Sequence, residues 1–553
     1  MNYTYDLDSR LTQVTDPTGT YQFTFDNMGR LTSASTSYAF LTARNFTTGY
    51  SYDAASNRTG FTDPESGSTT YAYDTLNRLQ TLTPPSAFSG TGSFGFGYDG
   101  LSRRTQMTRP NNVTTNYAYD NLSRLQSVLH QLAGSTIDGA TYTVDNAGNR
   151  TAKTDQRAAV TSNYGYDAIY ELTGVTQATN TTESYTYDPV GNRLSSLGLS
   201  PYSVNVSNQL TSTPGTSYTY DSNGNTLTKV VGSNTTSFTW DFENRLTSVT
   251  LPGSGGTVSF KYDPFGHRIY KSSSSATSIY AYDGDNLIEE VNATGAVVAR
   301  YTQTQEIDEP LAMLRSSTTS YYQADGLGSG TSLSSATGAL AQTYTFDSFG
   351  KQTASSGSLT NPFQYTGREF DTELSLYFMR ARYFDPATGR FISEDPARFP
   401  GGINFYTYVE NNPVNLIDPF GFCPWQVHSR PLQGRAGGPA HSIGIDHYYF
   451  YNVQTGQSIG LGPAGGFGGG TVKGSPVPGS WERNEKPGHN VDPVPDWACN
   501  CVDKKAKNPG NPPNYCTYQG NKNTNPHPAC TNCAGWVLSV LQDCYNQAYA
   551  GQQ

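Results

Sequence analysis

The sequence predicts an all-β architecture of many short antiparallel strands followed by a small α+β, cysteine-rich C-terminal domain, and three observations carry that prediction. The 553 residues include 40 Tyr, 25 Phe and 56 Gly against 5 Met, and only 14% are charged. An excess of aromatics, Thr and Gly over helix formers favours short strands and turns. One tyrosine-aspartate pattern then recurs from the N-terminus to about residue 290, and a chain this long needs a repeat array or several domains to organise its buried surface. Finally, all seven cysteines lie at or after Cys423, together with five of the seven histidines, so two differently built regions meet near that point.

Each repeat reads as an aromatic, a small residue, an aromatic and Asp, then a turn, then Asn or Gly, Arg and Leu. YAYDTLNRL ending at Leu79, YAYDNLSRL ending at Leu125 and FTWDFENRL ending at Leu246 are examples. The anchoring aspartates, among them Asp6, Asp26, Asp53, Asp74, Asp99, Asp120, Asp188 and Asp241, are mostly about 20 to 27 residues apart, a spacing typical of stacked units. Aromatics at i and i+2, such as Tyr117 and Tyr119, share one face of a strand. Asp opens a tight turn by accepting from backbone N–H groups ahead of it, and Asn or Gly tolerates the left-handed position. No unit of this kind buries its aromatic face alone, so the repeats are expected to extend one continuous curved sheet.

This pattern resembles the YD repeats of the RHS family, of toxin-complex C components and of teneurins, in which the strands spiral into a hollow shell. Residues 364–422 strengthen the resemblance with the strings YTGREFD, RARYFDP, GRFISEDP, NFYTYVENNP and DPFG, which look like the RHS-associated core that plugs one end of the shell. The resemblance implies a β shell over 1–361, a core plug over 362–422 and a variable C-terminal effector domain over 423–553. It also implies self-cleavage by paired core carboxylates, for which Asp371 and Asp385 are the candidates, with Asp395 as substitute and the scissile bond between Phe422 and Cys423. Such chemistry needs one carboxylate to activate water and the other to protonate the leaving group. Relatives often carry Arg before the first aspartate, where this chain has Phe370, so a supporting Arg is sought among Arg368, Arg380 and Arg382. The competing reading makes these aspartates turn and strand-end residues of a plug.

The tail is distinct. HSIGIDHYYFYNVQTGQSIGLGP alternates like two strands joined at Gln454-Thr455-Gly456, and TNCAGWVLSVLQDC has the periodicity of an amphipathic helix capped by Thr531 or Asn532 and followed by Gly551. Cys533 then falls in the first turn of a helix, where the dipole favours a thiolate, and His441 at a strand start is the leading base, with His447 second. A strand histidine preceding an Asn-Cys helix resembles the permuted papain-like enzymes of the NlpC/P60 superfamily; Gln457 and Ser458 are in range as the orienting residue. Two other readings stay open. Cys499, Cys501, Cys516, Cys530, Cys533 and Cys544 could form three disulfides, or the CxC and CxxC pairs with His527 could hold structural zinc.

The net charge of −10 argues against nucleic-acid binding as the main business of the chain. No run of eighteen apolar residues and no signal-peptide pattern occurs. The array starts in mid-pattern, which suggests an N-terminally truncated shell. The reading that follows is a secreted or cell-surface protein of polymorphic-toxin type, with an immunity protein, a secretion-system component or a toxin-complex component as partner and no cofactor. The rival class is a non-enzymatic adhesion or glycan-binding repeat protein with a disulfide-knit tail.

Overall fold

The computed structural model describes residues 1–88, 92–396 and 403–422, and beyond them the backbone of five strands. Compactness divides the chain into two units. One comprises Met1–Ser393 with Thr407–Ile417, the other Glu394–Tyr406 with Asp418 onward.

The first unit is built almost wholly of β-strands, each paired antiparallel with its sequence neighbour. Eighteen strands, from Asn2–Tyr5 to Arg193–Ser196, form one sheet, and sixteen, from Ser203–Val204 to Gln352–Gly357, form a second. The single continuous sheet expected from the repeats is therefore divided at residues 197–202. Two local features account for the break. The interval between Asp188 and Asp221 is longer than its neighbours, and it contains Pro201, which has no N–H to offer a ladder.

The repeat centred on Asp99 shows why these residues make hairpins. The Asp99 N–H donates to the Arg103 carbonyl and the Ser102 N–H returns to the Asp99 carbonyl, both at 3.0 Å. Oδ1 of Asp99 accepts the N–H groups of Leu101 and Arg103 at 2.9 Å, and Oδ2 accepts Nε of Arg103 at 2.7 Å. Ser102 sits at φ 64°, and the strand pairing slips by a residue just beyond. This is a tight turn followed by a bulge, the arrangement that matches the twist of the flanking strands.

Successive turns interlock through two side chains that the repeat pattern left in packing roles. Tyr98 Oη donates to the Leu79 carbonyl at 2.8 Å, while Arg78 from the preceding turn lies 4.8 Å over the Tyr98 ring and donates to the Asp99 carbonyl at 3.2 Å. One repeat on, Tyr119 donates to the Arg104 carbonyl at 2.9 Å, and Arg103 covers Tyr119 at 4.8 Å and reaches the Asp120 carbonyl at 3.1 Å. Tyr and Arg thus rivet neighbouring hairpins, and the charge-assisted bonds and cation–π contacts are repeated along the array.

The two sheets pack on one another through their aromatic faces. Tyr21 meets Phe265 at 5.6 Å, Phe40 meets Tyr270 at 5.4 Å and Phe94 meets Tyr321 at 5.9 Å between centroids. Polar contacts fix the register: Arg58 pairs with Asp283 at 2.6 Å and Lys153 with Asp325 at 2.7 Å. The opposite face carries cross-strand hydroxyl pairs such as Thr24–Thr32 and Thr219–Thr228, the alternation expected of strands with one wet side.

The core segment adds a four-stranded sheet, Glu369–Asp371, Leu376–Met379, Arg382–Asp385 and Arg390–Phe391. Tyr377, Phe384 and Tyr408 are fully buried there beside Phe391.

In the second unit the five strands make an antiparallel sheet in the order Gly479–Arg483, Ser458–Pro463, Asp446–Asn452, Trp425–Pro431, Asn490–Pro493. The two strands expected on either side of Gln454-Thr455-Gly456 pair with one another, Tyr451 opposite Ser458, and the turn itself lies outside the described residues. The terminal helix expected from the sequence lies outside the described residues.

Candidate active site in the core sheet

Asp371 and Asp385 end the first and third strands of the core sheet. Asp371 pairs with Leu376, and the register Tyr377–Phe384, continued by one residue, sets Leu376 against Asp385. The two aspartates therefore stand at the same end of the sheet and on the same face, because directly opposed residues share a face. One strand lies between them, so their backbones are about 10 Å apart.

Each carboxylate is held by cations from the second sheet. Asp371 is 1% exposed and pairs with Arg268 at 2.5 Å and with Lys271 at 3.1 Å. Arg268, itself buried, also pairs with Glu369 at 2.7 Å and donates to Tyr383 Oη at 3.1 Å, with Phe378 4.4 Å from its guanidinium. Burial alone would raise the Asp371 carboxyl, but Arg268 and Lys271 outweigh it and hold the group below the usual aspartate range. Asp385 pairs with Lys229 at 3.2 Å and accepts the Ala387 N–H at 2.9 Å.

A cavity of about 190 Å³ opens beside Asp385. Its walls include Lys229, Phe238, Val249, Leu374, Leu376 and Ile392, and Asp371 is not among them.

The arginine beside Asp371 is thus Arg268, more than a hundred residues upstream. Arg368 and Arg380 both turn to Asp308, and Arg382 lies over the Phe391 ring at 3.5 Å. Sequence reasoning sought the cation next to the aspartate in the chain. The signal that marks Arg268, an Arg-Ile-Tyr-Lys strand start after the Asp263 turn, resembles every other repeat in the array.

Asp395 belongs to the second unit, where its N–H donates to the Phe405 carbonyl at 2.9 Å. In that unit the Asp-Pro-Phe-Gly-Phe segment is a turn: Asp418 Oδ1 accepts the N–H groups of Gly421 at 2.8 Å and Phe422 at 3.1 Å, and Phe420 stacks on Phe422. Cys423, His441 and Cys533 lie outside the described residues, and His447 is placed by backbone alone, opposite Arg430.

The stretch 407–417 is anchored to the first sheet. Asn411 Nδ2 donates to Glu171 Oε1 and to the Gly191 carbonyl, both at 2.8 Å, and Asn415 Oδ1 accepts the Arg150 N–H at 2.7 Å. Glu171 occupies the turn position that other repeats give to Arg or Asn, next to Asp167. Burial first, then the adjacent Asp167 carboxylate, push Glu171 up to about 7, although the Asn411 bond opposes them. A carboxyl raised in the fold is stable while protonated and loses that stability as pH rises from the ordinary glutamate value through 7. Glu171→Gln is therefore expected to stabilise the protein at pH 8 by on the order of 2 kcal/mol and to change little at pH 4. Urea denaturation at the two pH values checks this, and an equal effect at both would refute the assignment.

Tyrosine-aspartate hairpins stacked in sequence order and joined to a buried core sheet define a YD-shell architecture. The chain belongs to the RHS/YD-repeat proteins: residues 153–414 match the teneurin YD-shell family and residues 5–39 match the RHS repeat family. It is 29% identical over 279 residues to the tRNA nuclease WapA of Bacillus subtilis, an alignment covering 47% of this chain and 12% of that protein. It is 27% identical over 157 residues to the double-stranded DNA deaminase toxin A of Burkholderia cenocepacia, covering 26% and 11%. Among solved structures, TcdB2-TccC3 superposes with a TM-score of 0.60 at 19% identity, covering 75% of this chain and 25% of that one; at that identity the likeness is one of fold. The chain's alignments cover only about an eighth of the length of WapA and about a ninth of that of the deaminase toxin. Among the described residues no helix is long and apolar enough to cross a membrane.

Proposed function

We propose that this chain is the shell and core of a secreted toxin-like protein that carries residues 423–553 as an effector and frees them by cutting its own Phe422–Cys423 bond. The observation that supports this reading is the pair Asp371 and Asp385, two buried carboxylates on one row of the core sheet, each governed by cations from the shell. In this reading Asp371, kept ionised by Arg268 and Lys271, takes a proton from water as the water adds to the Phe422 carbonyl. Asp385, taking part in its protonated form, gives that proton to the departing Cys423 nitrogen, so that Asp371 ends with one proton more and Asp385 with one fewer. The products are a Phe422 carboxyl and a Cys423 amine, and water is the only co-reactant.

The likeness to a protein named as a deaminase toxin supports the toxin reading. The effector itself is read from this chain's own residues as a Cys-His hydrolase or acyltransferase, with Cys533 as nucleophile and His441 as base. Its partners would be a toxin-complex type subunit for delivery and an immunity protein in the producing cell.

Mass spectrometry of the purified chain should find pieces of about 422 and 131 residues that separate only on denaturation. Asp371→Asn and Asp385→Asn should each leave the chain whole. An intact wild-type chain would remove self-cleavage from the reading. In the effector, Cys533 should react with iodoacetamide ahead of the other thiols at mildly acidic pH, and Cys533→Ala should lose hydrolysis with the fold intact.

A further inference from the structure

We propose that Glu183 and Asp347 form a pH-sensitive latch between the two large sheets, closed while the pair holds a proton and loosened once both carboxyls are ionised. Glu183 stands on the strand Asn180–Tyr187 of the first sheet, and Asp347 opens the turn after Leu340–Phe346 of the second. Both line a cavity of about 220 Å³ where the sheets meet the core residues Tyr365 and Val414. Glu183 ties one sheet to the other: its oxygens accept the Ser348 N–H at 3.1 and 3.2 Å, and Oε2 also accepts the Tyr185 hydroxyl at 2.8 Å. Asp347 caps its own turn, Oδ1 accepting the N–H groups of Phe349 at 3.0 Å and Lys351 at 2.9 Å.

The cations around the pair are engaged elsewhere. Lys153 pairs with Asp325 at 2.7 Å, and Arg150 donates to the carbonyls of Val414 and Gly326 at 2.8 and 2.9 Å. Arg193 lies 4.0 Å over the Phe349 ring and 4.4 Å over that of Tyr185. Asp155 faces the same cavity and accepts the N–H groups of Arg157 and Ala158, with the Arg157 guanidinium 3.9 Å away. The other titratable groups facing the cavity, Tyr142, Tyr164, Tyr344 and Tyr365, are phenols that burial keeps neutral near pH 7. Among the described residues no ion pair reaches Glu183 or Asp347, so two like charges face one another when both ionise. Burial pushes Glu183 up, and burial first, then the Glu183 carboxylate, push Asp347 up to about 7 against the Lys351 N–H and Arg193. The stability such a carboxyl contributes is fully present below its ordinary value, about 4, and is lost as pH rises through 7. The latch therefore holds in acid and slackens above neutral pH. It is independent of self-cleavage.

Hydrogen exchange of the full chain, with rates corrected for the intrinsic effect of pH, reads the latch at Ser348 and its surroundings. Between pH 6 and pH 8.5, protection of residues 343–351 and 180–187 should fall about tenfold from Asp347 alone and further from Glu183. The strand Val113–Tyr119 serves as control and should keep its protection. Glu183→Gln with Asp347→Asn retains an acceptor oxygen at each position and mimics the protonated pair, so its protection should be the same at both pH values. Asp347→Asn by itself should remove about tenfold of the wild-type fall. Unchanged protection in the wild type would overturn the proposal whether or not the variants fold. So would a fall that persists in the double variant, which would assign the effect to another group such as Glu171.

Discussion

Arg268→Ala is expected to cost about 3–5 kcal/mol of stability, the penalty for removing one partner of a buried ion pair. Glu369 and Asp371, 4% and 1% exposed, would both lose the guanidinium that compensates their charge, and only Lys271 would remain at Asp371. The loss should depend on pH with a definite sign. In the wild type the Asp371 carboxyl sits below its ordinary value, so the stability it contributes is present above about pH 4 and declines as pH falls through the folded value. In Arg268→Ala the penalty is largest at neutral pH, where the Asp371 carboxyl is ionised, and shrinks as it takes up a proton. Urea denaturation at pH 7.5 and 4.5 measures the difference. A penalty below 1 kcal/mol at pH 7.5, or one that grows on acidification, would contradict the ion-pair account. Replacing Arg268 by Met and Asp371 by Leu together should recover part of the loss, since well-packed apolar groups often substitute for a buried pair.

Phe384→Ala should destabilise by a similar amount, about 3–5 kcal/mol, for a different reason. The ring is fully buried and meets Tyr408 at 4.4 Å, Phe391 at 5.8 Å and Tyr377 at 6.5 Å. Its removal forfeits the transfer energy of a phenyl group and leaves a void that the surrounding core sheet closes only in part. The contrasting substitution is Leu101→Ala, at a turn tip that is 69% exposed, which should stay within about 0.5 kcal/mol. Because Asp385 is the next residue on the same strand, loss of Phe384 should also lower self-cleavage under conditions where the chain remains folded. Comparable midpoints for the two variants in denaturant would show that the core sheet is not the tightly packed element its burial indicates.

The hairpins were legible because their chemistry is local. Asp, the left-handed Ser, Asn or Gly, and the returning Arg lie within five residues, and the same five recur along the chain. The side-chain rivets between repeats were less legible. Tyr98 finds its acceptor at Leu79 and Arg78 finds its ring at Tyr98, distances of about one repeat that a pattern within the repeat does not display. At the site, the aspartates could be nominated from the strings GREFD and RYFDP, but the cations around them could not. Arg268, Lys271 and Lys229 are ordinary strand residues by sequence and become special only because the core sheet lies against the second sheet.

The sequence by itself determined the tyrosine-aspartate period, the turn chemistry, the antiparallel order of strands and the change of composition at Cys423, all of which follow from interactions between residues close in the chain. Tertiary structure alone decided that the two sheets pack face to face, that Asp371 and Asp385 share one row, and that Arg268 rather than Arg368, Arg380 or Arg382 stands beside Asp371. The reason is physical: a hairpin's geometry is set by backbone bonds over a few residues, whereas the partner of a buried charge is set by which distant strands exclude water from it.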